Sequence, residues 1–148
     1  MAHTDFYFAI NATFYHFTEK WGEQALIDYW QALGREYLRP LARQFEQGGP
    51  AEIARYWAEY FAGEPGGEVV VSQPDASTVL IDVRVCPAIQ WLRESPTAAL
   101  HPPVHPLYCQ HCLHINRAML EGTPYRFELQ GGGGSCRQVF RFSPGAAP

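Results

Sequence analysis

Basic residues are few in this chain and do not cluster. Lys and Arg together number 11 among 148 residues, against 15 Asp and Glu, and the formal net charge is −4. A protein that binds nucleic acid usually presents a patch of Lys and Arg to the phosphate backbone. DNA and RNA are therefore not expected partners.

Long hydrophobic runs are also missing. No apolar stretch approaches the roughly 18 residues of a membrane-spanning helix. The N-terminal segment is apolar but carries Asp5 and has no Lys or Arg, whereas a secretory signal begins with a basic region. We therefore expect no membrane association and predict a cytoplasmic protein, in which the four cysteines are thiols, ligands or nucleophiles before they are disulfides.

Aromatic residues are abundant, at 14% of the chain, and hydrophobic residues make up 47%. Their burial can stabilise a fold without a disulfide or a structural metal. The length predicts one domain over residues 1–142, with a helical part at 1–63, a sheet-containing part at 67–142 and a frayed tail at 143–148.

Helical periodicity dominates the N-terminal half. Between Glu23 and Gln47, apolar residues recur at the spacing of one helical face: Leu26, Tyr29, Trp30, Leu33, Tyr37, Leu41 and Phe45. Pro40 should end or kink this helix locally, and the Gly-Gly-Pro at 48–50 should stop it. A further helix follows, with Ile53, Trp57, Tyr60 and Phe61 on one side.

The second half alternates between strands and short helices. Two β-branched runs, 69–71 and 79–85, flank a turn-rich connector and predict a hairpin, and Val79, Ile81 and Val83 fall on one face. A short helix from Pro87 and a helix over 107–121 follow, and two strands then close across the Gly-rich segment at 131–135. The pattern predicts an α+β fold: a helical N-terminal half, then an antiparallel four-stranded sheet with two short helices between its hairpins.

One short segment is unusually rich in reactive side chains. Residues 105–116, HPLYCQHCLHIN, contain two of the four cysteines and three of the six histidines. On a helix, Cys109 and Cys112 share a face with Asn116. We expect Cys86, Cys109 and Cys136 to surround one cavity, with Cys112 bordering the same cavity or the adjacent core.

Three interpretations of these cysteines remain open. Cys86, Cys109, Cys112 and Cys136 could bind zinc or an iron–sulfur cluster, but the chain has a single C-x2-C, so no cofactor is predicted. In the second interpretation, one of the cysteines is catalytic. Cys86 and Cys109 both fall where a helix begins, and a nearby histidine or a helix N-terminus lowers the pKa of a thiol. The third interpretation is that all four are small buried core residues.

The histidines are ranked by their neighbours. His105, just before the second short helix, is the preferred functional histidine and should face the cavity. His111 and His114 fall on a helical face different from that of Cys109 and Cys112, so we expect them to point elsewhere. His101 lies in a proline-rich loop and could border a pocket, where Trp91, Cys112 and Cys136 would also contact a substrate.

Three stretches carry a family resemblance. The segments VRVCPAIQWL, HPLYCQHCLHINRAML and GGGGSCRQVFRF place a Cys-Pro after a strand, a cysteine-bearing helix, and a Gly-rich turn before a Cys and an aromatic strand. This arrangement, over residues 67–142, resembles the L-2-amino-thiazoline-4-carboxylic acid hydrolase family, which is related in outline to vinyl-reductase-type small-ligand-binding domains. The resemblance implies an α+β domain, hydrolytic opening of a thiazoline ring, and Cys86, Cys109 and Cys136 as shared pocket cysteines. Cys112 and its histidine-rich surroundings depart from it.

The residues are compatible with a small-molecule hydrolase that opens a C–N or C–S bond of a thiazoline- or amidine-like substrate. Cys109 or Cys86 would attack, His105 would move the proton and Asn116 would orient a polar group. The alternatives are a non-catalytic small-ligand-binding or sensor domain with a cysteine-lined pocket, or a Cys/His metal protein. The expected partner is a small molecule, and the sequence leaves homo-oligomerisation open.

Overall fold

The computed structural model describes residues 3–144, so most of the predicted tail lies outside the described residues. The helices of the first half are α1 (Thr4–Trp21), α2 (Glu23–Ala32) and α3 (Arg39–Ala62), with a π-helical turn (Leu33–Tyr37) between α2 and α3. The second half contains β1 (Glu68–Asp75), β2 (Thr78–Val85), α4 (Pro87–Glu94), a 3-10 turn (Ala98–Leu100), α5 (Gln110–Met119), β3 (Tyr125–Gly132) and β4 (Ser135–Phe142). The predicted α+β fold is confirmed.

The predicted helix from Glu23 to Gln47 is interrupted earlier than expected. It passes into the π-helical turn at Leu33 and breaks at Leu38, where φ is −93° and ψ is 10°. Pro40 lies in the first turn of α3. Backbone N–H groups in the first turn of a helix have no hydrogen-bond partner within the helix, so proline breaks no helical bond at this position. A π turn holds more residues per turn than an α-helix, so it shifts the apolar face, and Tyr37 is 76% exposed. The predicted break at Gly49 is present, with φ at +71°.

The four strands form one antiparallel sheet in the order β1-β2-β4-β3. The expected neighbour of β2 is confirmed, since β2 pairs with β4 and Val83 lies opposite Cys136. The turn between β1 and β2 is shorter than expected because β1 extends to Asp75. Pro74 is accommodated because β1 is an edge strand, where a missing N–H costs no ladder bond.

Helices cover one face of the sheet. Val79, Ile81 and Val83 are at most 2% exposed, as the alternation predicts, and they pack in a core with Phe45, Ile53, Met119 and Phe140. A second cluster joins α1, α2 and α4 around Phe14, Leu26, Trp30, Ile89 and Leu92. Within residues 3–144, no helix is long and apolar enough to cross a membrane.

Gly34 allows the π-helical turn to lie directly against α5. A Cβ at this position would meet the Ile115 carbonyl oxygen at 2.4 Å and both the Ala118 Cβ and the Met119 backbone nitrogen at 2.8 Å. Only a residue without a side chain permits two backbones to approach this closely. The contact fixes the position of α5, the helix that carries most of the Cys/His segment.

Candidate functional site

A cavity of about 290 Å³ lies between the covered face of the sheet and the helices. All four cysteines line it, so the convergence expected from the sequence is present. The remaining lining is largely aromatic and aliphatic: Tyr7, Ile10, Leu38, Leu41, Tyr56, Trp57, Tyr60, Phe61, Val83, Pro87, Ala88, Ile89, Tyr108, Ile115, Met119 and Leu129, with His111, Asn116, Ser135, Gln138, Gly132 and Gly134.

Each cysteine reaches the cavity from a different structural position. Cys86 is the N-cap of α4 and directly follows β2, because Pro87 starts the helix. Cys109 is the N-cap of α5, and Cys112 lies one turn further along that helix. Cys136 enters from β4, where it pairs with Gly131 of β3.

Burial controls the acidity of three of these thiols. It raises the pKa of Cys112 to about 11 and that of Cys136 to about 11. Burial also raises the pKa of Cys86, although backbone N–H groups of Ile89 and Ala88 at the start of α4 partly offset the effect. Desolvation penalises a thiolate, so these three side chains are thiols near neutral pH.

Cys109 has a polar neighbour of its own. The backbone N–H of Gly133 donates a hydrogen bond to its Sγ at 3.2 Å, and the α5 N-terminus begins at the next residue. The glycines Gly131, Gly132, Gly133 and Gly134 all have positive φ, a conformation that lets the β3–β4 turn approach Cys109 closely.

His111 and Cys112 form a pair inside the cavity. His111 Nδ1 contacts the carbonyl oxygen of Tyr108, which can only accept, so Nδ1 carries the proton. Nε2 is then the acceptor, and it lies 3.5 Å from Cys112 Sγ. Burial lowers the pKa of His111, so the ring is neutral near pH 7. The expectation that His111 points away from the cysteines is wrong, because the ring is held by the Tyr108 carbonyl and lines the cavity beside Cys112.

His105 does not line the cavity, contrary to the expectation that it faces the cysteines. Its Nδ1 accepts the Leu107 N–H at 3.0 Å, so Nε2 is protonated and contacts the Thr18 hydroxyl oxygen at 3.0 Å. Its backbone N–H donates to Asn11 Oδ1, and Asn11 Nδ2 donates to the Pro103 carbonyl. His105 therefore ties the proline-rich loop to α1, and both of its ring nitrogens are engaged.

The other predicted site residues are divided between the cavity and the rest of the molecule. Asn116 lines the cavity and donates from Nδ2 to the Cys112 carbonyl at 2.8 Å. Trp91 packs against the second core cluster instead, and His101 is exposed and stacks on Phe8. Neither Trp91 nor His101 contributes to the lining.

Sequence reasoning missed the aromatic wall that α3 contributes. Tyr56, Trp57, Tyr60 and Phe61 line the cavity, yet their spacing is that of an ordinary core-facing helix, so the sequence carried no signal to separate cavity wall from core. Tyr108 also belongs to this wall, and it lies directly before Cys109 in the Cys- and His-rich segment at 105–116.

A buried carboxylate lies behind the cavity wall and was also missed. The Glu64 side chain is fully buried, accepts a hydrogen bond from Tyr7 Oη at 2.7 Å and pairs with His3. Burial alone would raise the Glu64 pKa, but the hydrogen bonds from Tyr7 and His3 outweigh it and hold that pKa below its ordinary value. Because Tyr7 also lines the cavity, this network fixes one wall of the site.

Within residues 3–144, no group of three or more His, Cys, Asp or Glu side chains is arranged to hold a metal ion. The cavity cysteines thus share a space without forming a ligand set in this structure. Comparisons with protein families, with curated proteins and with solved structures gave no match for the chain. The resemblance to the thiazoline carboxylic acid hydrolases stays a prediction.

Proposed function

We propose that this protein binds a small, neutral, largely apolar molecule in the cysteine-lined cavity. The observation that carries the proposal is the cavity itself, which has aromatic walls, a few polar groups and a volume of about 290 Å³. Small-ligand sites commonly combine apolar walls with a few polar groups that orient the ligand.

The charge of the lining favours a neutral ligand. Its described residues include no Lys, Arg, Asp or Glu, and His111 is neutral because burial lowers its pKa. An unpaired charge transferred from water into such a space is strongly disfavoured. A carboxylate substrate of the kind that the family resemblance implies would find no cation among these lining residues.

A matched pair of probes tests this proposal. The ketone 4-phenylbutan-2-one and the anion 3-phenylpropionate have nearly the same shape and differ in charge. At ten times its dissociation constant, a ligand stabilises the folded state by about 1.4 kcal/mol, which corresponds to a rise of roughly 3–6 °C in the unfolding midpoint. We expect this rise with the ketone and none with the anion, measured by differential scanning calorimetry.

Two alanine variants locate the binding. Ala88 lines the cavity, so Ala88→Leu fills part of it and should abolish the ketone-dependent rise. Ala58 is exposed on α3, so Ala58→Leu adds the same bulk outside and should leave the rise unchanged. Equal stabilisation by ketone and anion would contradict the preference for a neutral ligand, and a rise that survives Ala88→Leu would exclude the cavity as the binding site.

A hydrolase is the second candidate, and the environment of Cys109 favours it. Its sulfur receives the Gly133 N–H and lies at the α5 N-terminus, and its side chain lines the cavity, so Cys109 is a candidate nucleophile for hydrolysis. His105 has no free ring nitrogen for the proton, and His111 is the histidine that lines the cavity. Loss of thiazoline or amidine hydrolysis in Cys109→Ser, with the ketone-dependent rise retained, is the expected result. Hydrolysis that persists in Cys109→Ser would rule out this nucleophile.

A further inference from the structure

The His111–Cys112 pair has the arrangement of a nucleophile with its base. Cys112 Sγ lies 3.5 Å from His111 Nε2, and the Tyr108 carbonyl fixes the ring and its tautomer through Nδ1. A base that is itself oriented by a third group is the usual device for activating a thiol. Both side chains line the cavity, so a bound molecule can reach them.

We propose that Cys112 captures a neutral aryl enone by conjugate addition, with His111 carrying the proton. The inference rests on the proposed function, because the electrophile must first occupy the cavity. It adds to that function the class of ligand, an aryl enone, and the formation of a covalent adduct. A protein of this kind is an electrophile trap or sensor.

The lining matches an aryl enone in several respects. The aromatic walls from α3 can stack on an aryl ring. Burial raises the pKa of Tyr60 to about 12 and also raises that of Tyr108, so both phenols stay protonated and can donate to a carbonyl oxygen. The uncharged lining accepts a ketone, and a thiol is a soft nucleophile suited to the β-carbon of an enone.

The step is balanced without any further reactant. The Cys112 S–H bond breaks, its proton passes to His111 Nε2, and a bond forms between sulfur and the enone β-carbon. The electron pair of the C=C bond moves onto the carbonyl as an enolate, and the α-carbon then takes the proton back from the imidazolium. The net change is the addition of S–H across C=C, and His111 ends neutral.

Cys112 is distinguished from the other cysteines by its partner. Cys109 accepts a backbone N–H, and Cys136 lies 3.6 Å from the Gln138 amide, so neither contact supplies a base. Because burial makes both members of the His111–Cys112 pair neutral, the thiol depends on transfer to His111 when an electrophile is in place. Removing the base should therefore slow capture without preventing binding.

The test uses 4-phenylbut-3-en-2-one, the unsaturated counterpart of the ketone probe. The full chain is incubated with it near pH 7, adduct formation is followed by intact-protein mass spectrometry, and the modified residue is mapped by peptide sequencing. The variants are Cys112→Ser and His111→Asn, whose amide keeps an N–H donor for the Tyr108 carbonyl but removes Nε2. The ketone-dependent thermal rise reports folding and binding for each variant.

We expect one adduct, mapped to Cys112 in the wild type and absent in Cys112→Ser. In His111→Asn the rate of adduct formation at saturating enone should fall about a hundredfold, the range that general acid–base catalysis supplies, and the ketone-dependent rise measures the binding that this variant retains. An adduct on another cysteine, or an unchanged rate in His111→Asn, would overturn the assignment and leave the binding proposal standing. Absence of any ketone-dependent rise in the wild type would instead remove the binding proposal, and this inference with it.

Discussion

Substitution of Gly34 by Ala tests the contact that positions α5. In an ordinary helix this change is stabilising by roughly 0.5–1 kcal/mol, because glycine loses more backbone entropy on folding than alanine. In this structure the new methyl group would meet the Ile115 carbonyl oxygen at 2.4 Å and the Met119 backbone nitrogen at 2.8 Å. Helix propensity therefore predicts that Gly34→Ala stabilises the protein, whereas packing predicts that it destabilises the protein.

The packing effect should be the larger one. Inserting a methyl group into a well-packed core typically costs about 1–3 kcal/mol, and the upper part of this range applies because backbone atoms cannot rotate out of the way. After the gain in helix propensity is subtracted, we expect a net loss of about 2 kcal/mol, or roughly 4–8 °C in the unfolding midpoint. Because α5 carries His111 and Cys112, the same displacement should weaken the ketone-dependent rise.

Urea unfolding of Gly34→Ala, alone and combined with Ala118→Gly, measures this effect. Ala118→Gly removes the Cβ that the new methyl group would meet at 2.8 Å, so the cost of Gly34→Ala should be smaller in that background. Some cost should remain, because the Ile115 and Met119 backbone atoms stay in place. A Gly34→Ala variant as stable as the wild type, or more stable, would refute the close approach of the two backbones.

Two further predictions concern ionisation. Because burial raises the Cys136 pKa to about 11, its alkylation by iodoacetamide should accelerate about tenfold per pH unit between pH 8 and 10. The rate is followed by peptide mass spectrometry, and a rate that levels off between pH 9 and 10, as for an ordinary thiol, would contradict this. The lowered Glu64 pKa means that its stabilising effect is present above about pH 4.5 and is lost as the pH falls below that value. Tyr7→Phe removes a hydrogen bond to this carboxylate. The decrease in free energy of unfolding that this substitution causes should be largest near pH 7 and should shrink towards pH 3. If urea titrations give the same decrease at every pH, the charge of the carboxylate is not involved.

The sheet could be predicted from the sequence because alternation has a direct physical meaning. Val79, Ile81 and Val83 had to share a face, and that face is buried. The π-helical turn could not be predicted, since it lies where Gly34 contacts α5, and no local sequence pattern encodes that tertiary contact. Tyr37 followed the periodicity and is exposed for this reason.

The candidate site was partly predictable. The cysteines could be placed because Cys86 follows β2, Cys136 lies in the neighbouring strand β4, and Cys109 and Cys112 lie at the start of α5. The histidines could not be placed, because helical spacing alone does not give a side-chain direction at the start of a short helix. His105 was preferred for its position before α5, but Asn11 and Thr18, distant in sequence, bind it away from the cavity. His111 was set aside on spacing, yet it lies beside Cys112.

The glycine-rich turn between β3 and β4 forms part of the cavity wall, to which Gly132 and Gly134 contribute. Three hydrogen bonds attach it to its surroundings: Arg93 donates to the Gly133 carbonyl, the Cys86 N–H donates to the Gly134 carbonyl, and the Gly133 N–H donates to Cys109 Sγ. At about 0.5–1.5 kcal/mol each, these bonds hold the turn by less than the 5–15 kcal/mol that typically holds a domain folded. Gly133 and Gly134, which connect the two strands, have no side chains to withdraw from a core. We therefore expect this turn to open at a lower cost in free energy than unfolding of the sheet, which would give small molecules a route into the cavity.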